Sequence, residues 1–209
     1  MLSKVENAKY QIMDVPMSGE DIVEILQVQF EDMGVIVSLT ERDDMPVNTA
    51  SCNGYFYHQD WDGESNIELE VVVRDTNDVI IINNNAWKFL EHEIIQTLEH
   101  EIIHREQCES RDGFQPKTIQ FLPHMENLTD AQKRIVYLSI PDEIDAYAND
   151  VALDLLQIYN RTQAAKRLLN WPTILVSESP IFCEYMDLFG PNSDIVRLIV
   201  KKTLKRMVS

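Results

Sequence analysis

The sequence is poor in cysteine, poor in cations and free of long apolar runs. Its three cysteines, Cys52, Cys108 and Cys183, are scattered with no CxxC spacing. A sparse, odd-numbered set argues against a disulfide framework and for a reducing compartment. Lys and Arg number 18 against 35 Asp and Glu, a formal net charge of −17. Phosphate backbones are met by cations, so nucleic acid is not an expected partner. The acidity reads first as a device for solubility. The apolar runs Val79–Ile82 and Leu198–Val200 fall far short of the roughly 20 residues of a membrane span, so no membrane partner is expected. The opening MLSKVENAKYQIMDVP has no apolar h-region and no small-residue cleavage site. No signal peptide is therefore expected, and the expected location is the cytoplasm.

What is present is ordinary globular material: 209 residues, 44% hydrophobic and 25% charged. One domain is expected over 1–209, with a helix and a sheet in 1–84, metal-binding helices in 85–160 and a helical annex in 161–209. A helix is predicted near Gly19–Met33, with Ser18 as its N-cap and Gly34 as its stop. A strand follows at Val35–Leu39. After a loop from Glu41 to Asn48, strands are predicted at Gly54–His58, Asn66–Arg74 and Asp78–Asn83, separated by the turn-rich stretches DWDGES and DTN. In the middle strand Glu68, Glu70 and Val72 alternate with Leu69, Val71 and Val73. The expected sheet is small and mostly antiparallel.

From Asn85 to Glu109 the period changes. Trp87, Leu90, Ile94, Leu98 and Ile102 recur at spacings of three and four, the apolar stripe of a helix. Arg111–Asn127 reads as a long loop. Helices are expected at Asp130–Leu138, Pro141–Tyr159, Arg161–Leu169, Ile181–Leu188 and Ser193–Met207. The last carries Arg197, Lys201, Lys202, Lys205 and Arg206, which read as a solvated face. Glu91-His92-Glu93-Ile94-Ile95 returns as Glu99-His100-Glu101-Ile102-Ile103, which is local helix patterning and not a repeat architecture.

The chemistry lies in His100-Glu101-Ile102-Ile103-His104, an HExxH segment inside the periodic helix. Residues four apart stand about 40° apart around a helix and one turn apart along it, so two imidazoles can reach one ion. On a helical wheel the two histidines lie at one margin of the apolar stripe and Glu101 on the side nearest them. A carboxylate there can accept a proton from a water whose pKa a metal has lowered to about 7, then pass it to a leaving amine. Zn2+ is the expected cofactor. His92 opens a segment with Gln96 in place of a second histidine, and reads as a surface residue or an outer support. His58 and His124 are isolated and read as structural.

A catalytic zinc takes a third protein ligand and keeps a position for water. The acidic run Pro141-Asp142-Glu143-Ile144-Asp145-Ala146-Tyr147-Ala148 opens a later helix and offers Asp142, Glu143 and Asp145. All three also complement the positive end of the helix dipole, whatever else they do.

HExxH followed by a glutamate on a later helix resembles the gluzincin division of zinc metallopeptidases. In some of these the second motif reads ExxAD, which Glu143-Ile144-Asp145-Ala146-Tyr147 matches at Glu143 and Ala146. The pairing of HExxH with PDEIDAYA also resembles small zincin-like proteins encoded by tailed bacteriophages. The resemblance covers chiefly 85–110 and 141–155. It implies an α+β zincin-like fold, with a small sheet, an HExxH helix and a helical C-terminal half. It further implies His100, His104 and Glu143 as metal ligands and Glu101 as general base. Tyr147 stands where many family members have an aspartate that braces a ligand histidine, leaving Asp145 and Asp150 as substitutes. A phage-encoded protein of this kind would act in the host cytoplasm or with the virion.

The expected function is zinc-dependent hydrolysis of a peptide or protein substrate, laid along a sheet edge. Tyr137, Tyr147 and His58 are the candidate donors to a developing oxyanion. The alternative is a zinc-binding structural or host-interaction protein without turnover.

Overall fold

A computed structural model of the chain describes residues 1–57, 66–111 and 127–208. The end of the strand expected at Gly54–His58, the DWDGES turn, His124 and most of the expected 111–127 loop lie outside the described residues. The chain divides into two compact units, Met1–Arg105 and Glu106–Ser209. The architecture is α+β.

The first unit opens with α1 (Leu2–Ile12) and a two-residue strand β1 (Pro16–Met17), followed by α2 (Gly19–Phe30). Helix α2 starts where the sequence predicts. The Ser18 hydroxyl accepts from the Asp21 N–H at 3.1 Å, and the Asp21 carboxylate accepts from the Ser18 N–H at 2.8 Å, a reciprocal capping box. A 3-10 turn follows at Glu31–Met33. Gly34 then ends the helical stretch in the left-handed region at φ 68°, which costs a glycine little.

The strands β2 (Val35–Glu41), β3 (Ser51–Tyr57) and β4 (Asn66–Val73) form one sheet in the order β2-β4-β3, and β5 (Ile80–Ile81) pairs with β1. The sheet is mixed, not mostly antiparallel. Strand β3 runs antiparallel to β4 with Gly54 opposite Leu69, but β2 runs parallel to β4 with Val37 opposite Leu69. Alternation within a strand says which face is buried and nothing about the direction of its neighbour. Ile67, Leu69, Val71 and Val73 of β4 turn to the core, while the Glu70 carboxylate on the other face ties the strands by accepting from Thr40 at 2.6 Å and Asn53 at 2.8 Å.

Helix α3 (Asn84–Glu109) starts at Asn83, whose side-chain oxygen accepts from the N–H groups of Asn85 and Ala86. Trp87, Leu90, Ile94 and Leu98 are fully buried and join Ile22, Leu26 and Phe30 of α2 in the core of this unit. The boundary between the units falls inside α3, so its last turn belongs to the second unit.

The second unit is helical among its described residues: α4 (Asp130–Leu138), α5 (Pro141–Ile158), α6 (Arg161–Leu169), α7 (Pro180–Phe189) and α8 (Asp194–Val208). Helices α4 and α6 begin with capping boxes on Thr129 and Asn160, and α5 begins with Pro141 in its first turn. Its core gathers Val151, Leu155, Leu168, Phe182, Tyr185 and Ile199.

The connection from α6 to α7 is held by Glu178. Its carboxylate accepts from the Arg167 guanidinium at 2.6 Å, the Tyr159 hydroxyl at 2.6 Å and the Leu175 N–H at 2.7 Å. The Arg167 bonds lead the causes that pull its pKa from 4.5 to about 2, with burial opposing them. A carboxyl group whose pKa is depressed in the folded state stabilises the fold above its ordinary pKa, and that contribution is lost as pH falls through the folded value. Glu178→Gln is therefore expected to lower the urea midpoint at pH 7. The gap from wild type should close as pH falls from 4.5 towards 2; a gap of constant size across that range would contradict the assignment.

Candidate metal centre

Helix α3 places His100 and His104 one turn apart, and their Nε2 atoms stand 3.1 Å from each other. The rings meet edge to face, with centroids 4.8 Å apart and planes at 72°. Two nitrogens held about 2.0–2.1 Å from a tetrahedral zinc would be separated by roughly 3.3 Å. The observed pair therefore fits a shared divalent ion. His100 is buried and His104 half-buried, so the pair sits at the margin of the stripe, as the helical wheel requires.

Glu101 is also buried, at 7% exposure. Its side chain is directed at strand β3: a Cβ built on Gly54 would lie 3.0 Å from Glu101 Cγ and 3.2 Å from its Oε1. Strand β3 is the outer strand on this side of the sheet among the described residues. The Cys52 N–H turns away from β4 and donates to the Glu93 carboxylate at 3.1 Å. Outward and inward backbone groups alternate along an antiparallel pair, so Gly54, two residues on, presents its backbone to the same side, away from β4. Glu101 thus lies beside Gly54 on the strand that is outermost among the described residues. The hydroxyl of Tyr55 is pushed up in pKa by burial first, then by Glu70, Glu68 and Glu101.

In the second unit the acidic run at the start of α5 separates into distinct roles. Asp142 pairs with Arg111 at 2.7 Å, and its backbone carbonyl accepts from Gln107 at 3.2 Å, which docks the last turn of α3 on the start of α5. Asp145 pairs with Lys202 at 2.9 Å and Arg206 at 3.5 Å. Both are committed to cations. Glu143 is buried at 4% exposure.

Residues expected elsewhere take other places. Tyr147 lies in a cluster that packs Tyr137, Tyr147, Tyr185 and Phe189 ring to ring at 5.7–6.5 Å, with the Arg134 guanidinium 5.7 Å from the centre of the Tyr147 ring. Burial pushes the Tyr147 phenol up to about 12 and raises those of Tyr137 and Tyr185 as well, so all three remain protonated donors. Asp150 is buried one turn beyond Tyr147 on the same face of α5. His92 is half-buried, and His58 is outside the described residues.

No family model, curated protein or solved structure matches this chain. The site therefore stands on its own geometry.

Sequence reasoning missed Gly54. Gly54 carries no motif, and its signal was a glycine inside a strand, which marks close approach of another group. A Cβ there would lie 2.4 Å from Thr97 Cγ2, closer than such atoms pack. Gly54→Ala is expected to force β3 away from α3 and to cost about 1–3 kcal/mol of stability in denaturant titration. An unchanged midpoint would show that the strand and helix do not meet at this distance.

Proposed function

We propose that the protein is a zinc-dependent peptidase on a zincin-like scaffold, with His100, His104 and Glu143 as metal ligands and Glu101 as general base. The observation that carries the reading is the pair of Nε2 atoms 3.1 Å apart on the helix that also holds Glu101 against the Gly54 edge. Two imidazoles and a carboxylate make a donor set that could hold a metal ion and match the borderline-soft character of zinc. Glu143 is favoured over Asp142 and Asp145 because both aspartates are paired with cations while Glu143 is buried. Arg111 and Gln107, just past His104 in the chain, hold Asp142, the immediate neighbour of Glu143.

Zinc held by these ligands would polarise a scissile carbonyl and make water acidic enough to be deprotonated near neutral pH. Glu101 accepts that proton on its carboxylate and donates it to the departing amine nitrogen. The edge of β3 at Gly54, outermost among the described residues, would offer main-chain hydrogen bonds to an extended peptide, which fixes its direction with little demand on side-chain identity. A peptide or protein substrate follows from that edge. The reading includes a cytoplasmic location, consistent with three buried cysteines that form no disulfide. No described helix is long and apolar enough to cross a membrane.

A zinc-binding protein without turnover is the second reading, favoured by Tyr147 in place of a histidine-bracing aspartate. The two diverge at Glu101. Elemental analysis of dialysed protein is expected to find one zinc per chain, lost in His100→Ala, His104→Ala and Glu143→Ala. Glu101→Gln is expected to keep the zinc while hydrolysis of unfolded protein substrates falls by about 10²–10⁴-fold. Full hydrolysis in Glu101→Gln, or wild type without stoichiometric zinc, would end the peptidase reading.

A further inference from the structure

The last helix divides into two faces. Val196, Ile199, Val200, Thr203 and Met207 of α8 are buried. The opposite face carries Leu198, Lys201, Lys202, Lys205 and Arg206, at spacings of three and four that set them side by side. From the sequence these cations read as a solvated face. In the structure they and Asp145 of α5 line a groove of about 640 Å³. The Asp145 carboxylate pairs with Lys202 at 2.9 Å and with Arg206 at 3.5 Å. It is the one carboxylate in the lining, so four cations share a single negative charge. Lys201 and Lys205 are exposed and have no ion-pair partner among the described residues.

The arrangement is costly as helix design. Like charges four apart, Lys201 with Lys205 and Lys202 with Arg206, destabilise a helix. The helix dipole favours cations in the last turn, where Lys205 and Arg206 lie, but Lys201 and Lys202 stand a turn earlier. No acidic residue follows Asp194 in this helix to relieve them, in a chain that has 35 acidic residues. An anion seated in the groove would offset the repulsion.

We propose that the groove between α5 and α8 binds a compact polyphosphate group, held by Lys201, Lys202, Lys205 and Arg206. None of these residues belongs to the candidate metal centre, so the groove is independent of the peptidase reading. Ammonium groups meet phosphate oxygens as point charges, and a guanidinium can meet two oxygens at once. Lys201 to Arg206 spans about 7.5 Å along the helix, more than one phosphate can bridge and within reach of several linked ones. The volume is in the range of small-molecule sites. Compactness follows from charge. The chain as a whole carries −17, so a long nucleic acid or an extended acidic peptide leaving the groove would meet net repulsion. Leu198, 39% exposed, gives the lining an apolar patch for whatever the phosphates are attached to.

Calorimetric titration of the full chain with inorganic tripolyphosphate, near physiological salt, tests this. Saturable one-to-one binding is expected, with a raised melting temperature. Lys201→Gln and Lys205→Gln should each weaken it roughly five-fold, the factor for one unit charge at about 4 Å in water. Asp145→Asn removes the competing carboxylate and should strengthen binding by a similar factor, although it deletes two ion pairs. A nucleoside triphosphate is the second probe. Equal affinity for the two would show that phosphate alone is read; tighter binding of the nucleotide, lost in Leu198→Gln, would show that Leu198 receives the nucleoside. His100→Ala should bind tripolyphosphate as wild type does, which separates the groove from chelation at the metal centre. Absence of saturable binding, affinity untouched by the lysine variants, weaker binding in Asp145→Asn or loss in His100→Ala would each overturn the proposal. So would tighter binding of hexaglutamate or of a single-stranded oligonucleotide than of tripolyphosphate.

Discussion

A charged group taken out of water must be met by donors, by a cation or by a proton, because desolvation alone costs several kcal/mol. This chain buries several carboxylates and meets them in different ways. Glu178 takes Arg167, Tyr159 and a backbone N–H, and Asp154 takes the Ser179 hydroxyl at 2.7 Å. These bonds tie together elements distant in sequence, so the polar groups hold the helical unit in register around an apolar core that includes Val151, Leu155 and Phe182.

The same constraint gives the HExxH helix its character. Up to Leu98, α3 buries a narrow apolar stripe; beyond it, His100, Glu101, Ile103 and Cys108 are all buried. A helix enclosed on several sides cannot carry polar side chains without a use for them. Two imidazoles meet at 3.1 Å and a carboxylate lies beside Gly54, the arrangement on which the proposed function rests. Gly54 makes that setting possible, since the lack of a side chain there lets the strand approach Thr97 and Glu101.

Much of the fold was legible where short-range chemistry decides it. Ser18 with Asp21, Thr129 with Gln132, and Pro141 in a first turn place helix starts, because a cap is satisfied within four residues. Helix α1 was not legible. Its buried face is only Val5, Ala8 and Ile12, its N-cap Met1 makes no side-chain bond, and packing against α2 stabilises it. The strand expected at Asp78–Asn83 shrank to Ile80–Ile81, since its only partner among the described residues is the two-residue β1.

The placing of His100, Glu101 and His104 on one helix, with the two histidines a turn apart, was determined by the sequence alone, because the spacing of a helix is local and invariant. The order β2-β4-β3, the parallel pairing of β2, the closeness of Gly54 to Glu101 and the pairing of Arg134 with Glu184 were decided only in the tertiary structure. Those relations join residues whose separation along the chain carries no periodicity. They exist because packing, not propensity, selects which faces meet.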